Sequence, residues 1–216
     1  MKKLFALLPA LILLFVSCER RQQILHEGSS VADDSSIVQW KEFLDHDTFV
    51  REVRSQGKII LRAKASSEKD FRDSTFSETS FFADGKPMAL RIFSQGKQNG
   101  VWMSWYQSGK TKSKSVVDHG ILRDYLSYYE DGTIAVTGSR SPNGIMSRTE
   151  RWRNGNLKET FTTDTAGNGK CTNYFENGRK STEGRLSNFV QSGTWSRWDS
   201  TGNMLSDTSY YELTKD

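Results

Sequence analysis

From Thr75 onward, pairs of bulky residues alternate with polar-glycine turns. The pairs and turns read Phe81-Phe82 before Asp84-Gly85, Trp105-Tyr106 before Ser108-Gly109, and Tyr128-Tyr129 before Asp131-Gly132. They continue as Arg151-Trp152 before Asn154-Gly155, Tyr174-Phe175 before Asn177-Gly178, and Trp198 before Thr201-Gly202. The six turn glycines, Gly85, Gly109, Gly132, Gly155, Gly178 and Gly202, are spaced 24, 23, 23, 23 and 24 residues apart. So regular a period marks a repeat architecture, one supersecondary unit per copy. A second set of turn signals interleaves with the first: Asn99-Gly100, His119-Gly120, Asn143-Gly144, Asn168-Gly169 and Ser192-Gly193. Turns therefore fall every 9 to 15 residues, which leaves strands of roughly five to eight residues between them. Asn-Gly and Asp-Gly suit tight hairpins because both central residues take positive φ cheaply. The chain holds only three prolines, which permits continuous strand pairing. The pattern predicts a mainly β fold, an elongated antiparallel meander of repeated β-hairpins over residues 74–216.

Strand alternation sorts the rings. Phe82, Tyr106, Tyr129, Trp152 and Phe175 are expected on one face, and Phe81, Trp105, Tyr128, Tyr174 and Trp198 on the other. Equivalent strands lie two steps apart, roughly 9.5–10 Å, so side chains of the intervening strand must fill between the rings. Gly138 and Gly184, each six residues past a turn glycine, offer bare backbone for a ring to lie on. Arg151 and Asp199 interrupt the two ladders. Trp102 and Trp195, each two residues past a glycine of the second turn set, add two more rings. For every one of these aromatics two readings stand: the only core a single sheet has, or an exposed strip that binds a partner.

Residues 36–73 read as a helical or mixed segment ahead of the sheet. Ser36 with Gln39 resembles a capping box, and Ile37, Trp40, Phe43 and Leu44 follow at helical spacing. Asp45-His46-Asp47 is a candidate break and Gly57 a candidate stop. Ile59, Ile60 and Leu61 form a β-type run, and residues 63–73 are polar with no clear pattern. Residues 18–35 are polar and free of aromatics after Cys18, the composition of a tether.

The first 17 residues read as a targeting segment. Lys2 and Lys3 precede the apolar run Leu4 to Val16, which is too short for a comfortable membrane span. The run ends at Phe15-Val16-Ser17-Cys18, which resembles the lipobox of bacterial lipoproteins, although Phe15 departs from the usual leucine. That resemblance implies cleavage before Cys18, lipidation of Cys18, and a lipid-anchored place in the bacterial cell envelope. Glu19 after the cysteine resembles outer-membrane sorting. The alternative is an ordinary cleaved signal peptide with an incidental cysteine. Without the segment, Lys and Arg number 28 against 26 Asp and Glu, a net charge of about +2. That balance does not point to nucleic acid as a partner. The second cysteine, Cys171, then has no partner for a disulfide; it reads as a small buried core residue at the position of Trp102 and Trp195 in other units.

Two stretches carry a family resemblance, Gly100 to Lys110 (GVWMSWYQSGK) and Tyr174 to Gly184 (YFENGRKSTEG). They resemble the variant MORN repeats of bacterial proteins often catalogued as YwqK-type antitoxin-like. The resemblance extends over about Phe81 to Tyr211. It implies stacked hairpins and a role in protein or membrane association, with no catalytic residues. The third and fourth units depart from it, with Tyr125 and Arg148 in place of the tryptophan.

Chemistry is sparse. His26, His46 and His119 are scattered, and no His/Cys/Asp/Glu group has metal-ligand spacing. Gly167-Asn168-Gly169-Lys170 lacks P-loop spacing and reads as a turn. Lys110, Lys112 and Lys114 alternate along one strand and read as a solvated face, or as a contact for anionic headgroups. The reading is therefore a non-catalytic, lipid-anchored binding scaffold with a protein partner and no cofactor or metal. An immunity or antitoxin-like protein that sequesters a toxin is the alternative, and a glycan-active enzyme a more distant one.

Overall fold

A computed structural model of the chain describes residues 22–31 and 36–210. The targeting segment and Cys18 lie outside the described residues. The strands are β1 (Gln23–Val31), β2 (Ile37–Asp45), β3 (Thr48–Ser55), β4 (Lys58–Ala65), β5 (Phe76–Phe81), β6 (Pro87–Ser94), β7 (Lys97–Gln98), β8 (Gly100–Trp105) and β9 (Thr111–Asp118). They continue as β10 (Ile121–Tyr128), β11 (Ile134–Arg140), β12 (Met146–Arg151), β13 (Leu157–Thr163), β14 (Gly169–Tyr174), β15 (Lys180–Ser187), β16 (Val190–Trp198) and β17 (Met204–Tyr210). One short helix, α1 (Glu68–Arg72), interrupts them. Every pairing is antiparallel and joins strands adjacent in sequence, with β7 and β8 both on β6. The described residues thus form one open meander of hairpins, the architecture that the glycine period predicts.

The segment ahead of the repeats corrects two expectations. Residues 36–55 are a hairpin, β2 and β3, and Ser36 caps no helix. The candidate break at Asp45-His46-Asp47 is the hairpin turn, and the candidate stop at Gly57 is the next one. Helical spacing misled because both faces of this hairpin bury side chains: Phe43 and Val50 on one, Phe49 on the other. A strand that buries side chains on both faces loses its alternation. Within the expected tether, residues 23–31 are a strand lying on β2. Its side chains are mostly exposed, so main-chain pairing forms it and no apolar pattern announces it.

The repeated signature has one structural meaning. Phe81, Trp105, Tyr128, Arg151, Tyr174 and Trp198 each end a strand, and each meets a register shift against the next. The following residue opens a three-residue loop. Tyr106, for example, accepts from the Gly109 amide at 2.8 Å and donates its own amide to the Lys110 carbonyl at 2.9 Å. Phe82, Tyr129, Trp152, Phe175 and Asp199 repeat this pair of bonds. The six glycines sit at φ of +84° to +96°, the left-handed position that closes such a loop as a bulge. Asn-Gly and Asp-Gly here do not make the expected two-residue turn, because only the glycine has positive φ. The polar residue before it accepts from the amide two residues on instead, as Asp84 does from Lys86 and Asn177 from Arg179.

Turns of the second set lie where expected at His119-Gly120 and Asn143-Gly144, but not at the other three positions. Gln95-Gly96 and Asn188-Phe189 make two of those turns with both central residues at positive φ, and Asp164 to Gly167 makes the third. Gly100 and Gly193 are strand residues with φ of +81° and +61°. Gly169 faces the Thr162 carbonyl so closely that no Cβ fits there.

Paired residues share a face, so the registers place side chains across the whole meander. One face carries α1. Phe71 of that helix packs between Phe49 and Phe76, with ring centroids 5.0 and 5.2 Å apart. The row runs on through Phe93 to Trp102 at 5.1 and 5.8 Å. Ser67 caps the helix by accepting from the Asp70 amide at 3.1 Å. Further along the same face, Cys171, Leu186 and Trp195 form a buried cluster with Phe161 against it. Burial pushes the Cys171 thiol above its usual range, which fits the inert core residue expected of it.

Candidate functional site

Apart from Phe81, which ends β5, and Phe82 and Phe175, which open loops, the predicted aromatics divide into three groups. Trp102 and Trp195 lie on the helix face and turn inward. Trp195 is 4% exposed, and its ring covers Gly184, where an added Cβ would stand 2.3 Å from Cδ2. Its Nε1 donates to the Arg185 carbonyl at 2.9 Å, and Trp102 Nε1 donates in the same way to Ile92 at 3.1 Å. Trp105, Tyr128, Tyr174 and Trp198 end their strands half-buried. Lys180 lies over the Trp198 ring at 5.9 Å.

Tyr106, Tyr129 and Trp152 form the third group. They link each hairpin to the next. Tyr106 Oη donates to the Tyr128 carbonyl at 2.8 Å, Tyr129 Oη to Arg151 at 2.7 Å, and Trp152 Nε1 to Tyr174 at 3.2 Å. Each ring therefore spans one repeat by a hydrogen bond, and no stacked pair forms among them. Asp199 stands at this position in the last unit and serves the turn instead, accepting from the Thr201 and Asn203 amides at 2.9 Å each. The Thr201 hydroxyl and these amides hold its carboxyl down to about 2. The turns are stitched along the same edge: Asn154 and Asn156 both donate to the Glu176 carbonyl at 2.9 and 2.8 Å, and Asn177 to Ser200 at 2.7 Å.

Charge gathers on two buried carboxylates near the start of the sheet. Glu42, 1% exposed on the helix face, accepts from both terminal nitrogens of Arg72 at 2.6 and 3.3 Å. Glu52, 4% exposed on the opposite face, accepts from Arg62 at 2.5 and 3.0 Å and from Arg54 at 3.2 Å, with Lys41 at 3.8 Å. Burial raises the Glu52 pKa, but these cations outweigh it and leave the carboxyl below its usual range. Both glutamates are enclosed by cations of this chain, which makes each a structural pair. Lys112 and Lys114 are exposed on one face of β9, while Lys110 precedes that strand, where its carbonyl closes the loop by accepting from the Tyr106 amide. No group of three or more His, Cys, Asp or Glu among the described residues is placed to hold a metal ion.

Gly138, one of the two glycines that the sequence marks as bare backbone for a ring, lies at a concave place on the helix face. A cleft of about 250 Å³ lies over Gly138, lined by Leu122, Tyr125, Met146 and Phe161 together with Arg140 and Arg148. Gly138 pairs with Tyr125 on one side and Arg148 on the other. Gly184 sits in the same way between Cys171 and Trp195. The available signal was the 23-residue period applied to the second strand of each hairpin, which aligns the two glycines and sets Arg148 where a ring is expected.

The described residues define a single-sheet hairpin repeat protein. No family model matches the chain, and no curated protein matches it.

Proposed function

We propose that this chain is a lipid-anchored protein of the bacterial envelope whose hairpin array is a non-catalytic binding scaffold of the MORN-like type. The observation that carries the reading is the open single sheet. Helix α1 is five residues long and packs near β3 to β5, and the remaining described strands have no second layer over them. Large apolar side chains accordingly meet solvent: Leu122 is 49% exposed, Phe189 53% and Val190 64%. The uncovered face of an open sheet, more than any single one of these residues, supports a role in association. The lipobox-like Phe15-Val16-Ser17-Cys18 supplies the anchor in this reading. No helix among the described residues is long and apolar enough to cross a membrane.

The test has two parts. Crosslinking in intact envelopes should recover a reproducible partner from the wild-type chain. Cys18→Ser should leave the domain folded and release it from membranes. A purified domain that turns over a substrate, with no reproducible partner in envelopes, would overturn the scaffold reading. Retention of Cys18→Ser on membranes would overturn the anchor.

A further inference from the structure

Among the strand glycines of the helix face, Gly28 and Gly184 each lie under a tryptophan ring and Gly138 does not. The Trp40 ring lies on Gly28, with Cζ2 2.7 Å from where a Cβ would be, and Trp195 lies on Gly184 at 2.3 Å. Gly138 faces Arg148, and its nearest neighbours are the Ser147 carbonyl oxygen at 3.5 Å and Tyr125 Cβ at 3.8 Å. Arg148 does not fill the space, because Glu159 and Glu150 each draw one of its terminal nitrogens to 2.6 Å. The result is the cleft of about 250 Å³ above Gly138, bordered by Leu122, Tyr125, Met146 and Phe161.

The polar groups around the cleft say what would fill it. Trp195 donates to the carbonyl of the residue after Gly184, and Ser139, the residue after Gly138, also lines the cleft. The Ser139 carbonyl stands at the corresponding place, where the register is unbroken on both sides. Arg140 borders the same cleft, half-buried, and its guanidinium makes no ion pair with any described carboxylate. Arg123 also lines the cleft, but Asp118 holds it at 2.9 Å. The free charge at the rim is therefore positive, and it favours an anionic neighbour to the ring.

We propose that the Gly138 cleft binds a tryptophan side chain of a partner protein, presented beside an aspartate or glutamate that pairs with Arg140. The proposal rests on the scaffold reading above and gives that scaffold a specific contact. Buried tryptophan anchors in fitted pockets dominate the energy of many interfaces.

The probe is the blocked peptide acetyl-Asp-Trp-Asp-amide, titrated calorimetrically into the full chain. The peptide should bind saturably, and the same peptide with alanine for tryptophan should not. Arg148→Trp places the ring seen at Trp40 and Trp195 over Gly138 from within, and should cut affinity by at least about tenfold. Arg140→Gln should weaken the acidic peptide while sparing an uncharged analogue. Gly138→Val fills the floor by a second route and keeps the test sound if Arg148→Trp misfolds. The proposal is overturned if the wild type shows no saturable binding at millimolar peptide. It is equally overturned if Arg148→Trp and Gly138→Val, both folded by circular dichroism, bind as the wild type does. Tighter binding of free indoleacetate than of the peptide would make the cleft a small-molecule site and overturn the partner assignment. Envelope crosslinks that persist unchanged in Arg148→Trp would sink the cleft and leave the scaffold standing. Cleft-dependent peptide binding without any envelope partner would do the reverse.

Discussion

Thr163 is 1% exposed, and its hydroxyl finds no hydrogen-bond partner among the described residues. A buried hydroxyl left unpaired carries its desolvation cost without return. Thr163→Val keeps the shape and removes the polar atom, so it should be neutral or stabilise by up to about 1 kcal/mol in chemical denaturation. A clear loss would mean that the hydroxyl has a partner after all. Glu183 behaves differently. Lys180 beside it at 2.9 Å, helped by Lys170 and Thr172 and opposed by partial burial, holds its carboxyl down to about 2, against an ordinary 4.5. A depressed carboxylate pKa stabilises the fold fully above the ordinary value and loses that contribution as pH falls toward the folded one. Unfolding midpoints should therefore drop between pH 4.5 and about 2 more steeply in the wild type than in Glu183→Gln. Parallel curves for the two proteins would count against the Lys180 pairing.

At the scale of the element, two glycines of one period make opposite forecasts. Gly184→Ala would drive a methyl into the Trp195 ring and should destabilise strongly, because ring and backbone are both fixed. Gly138→Ala meets only ordinary contacts at 3.5 and 3.8 Å and should be neutral or gain about 0.4–1 kcal/mol through the unfolded chain. Thermal melts of the two variants decide the matter, and similar losses in both would contradict the open cleft. Trp195→Ala, which empties a 4% exposed site, should cost roughly 3–5 kcal/mol. Trp105, half-buried at a strand end, should cost less.

Much of this element-level structure was legible in the chain. The glycine period gave the repeat, and the two residues before each turn gave the strand end and the loop opening. The division of the rings into core, link and strand end was not legible. It depends on a register shift beside each signature turn, and a one-residue slip exchanges faces. The β2–β3 hairpin was hidden for a related reason. Trp40 and Leu44 face one side and Phe43 the other, so the apolar residues fall at helical spacing by coincidence. Five rings that the sequence reading left unremarked as a group, Phe49, Phe71, Phe76, Phe93 and Phe161, belong to the helix-face core. They sit outside the signature pairs, so the repeat drew no attention to them. The sequence marked Gly138 as bare backbone and Arg148 in place of a ring, but not that two glutamates hold that arginine aside.

For the molecule as a whole, each hairpin touches chiefly its two neighbours, so cohesion is nearly one-dimensional. The largest and most enclosed side chains lie near β2 to β5 and around β14 to β16, whereas every residue of β17 is exposed. Native-state hydrogen exchange should follow that map, with slow amides in the two packed regions and fast ones in β17. Uniform protection along the chain would indicate one cooperative unit instead.

The link from each turn to the next has a geometric consequence. Tyr106, Tyr129 and Trp152 reach forward by the same 22 residues, and the asparagines of the loops do nearly so. Corresponding groups therefore recur at a fixed pitch of roughly 10 Å, two strand spacings. The chain is in effect a ruler graduated by hairpins. Insertion or removal of one whole graduation would translate everything beyond it by a set distance while leaving each junction chemically the same. Reach can thus change independently of how firmly neighbouring units hold together.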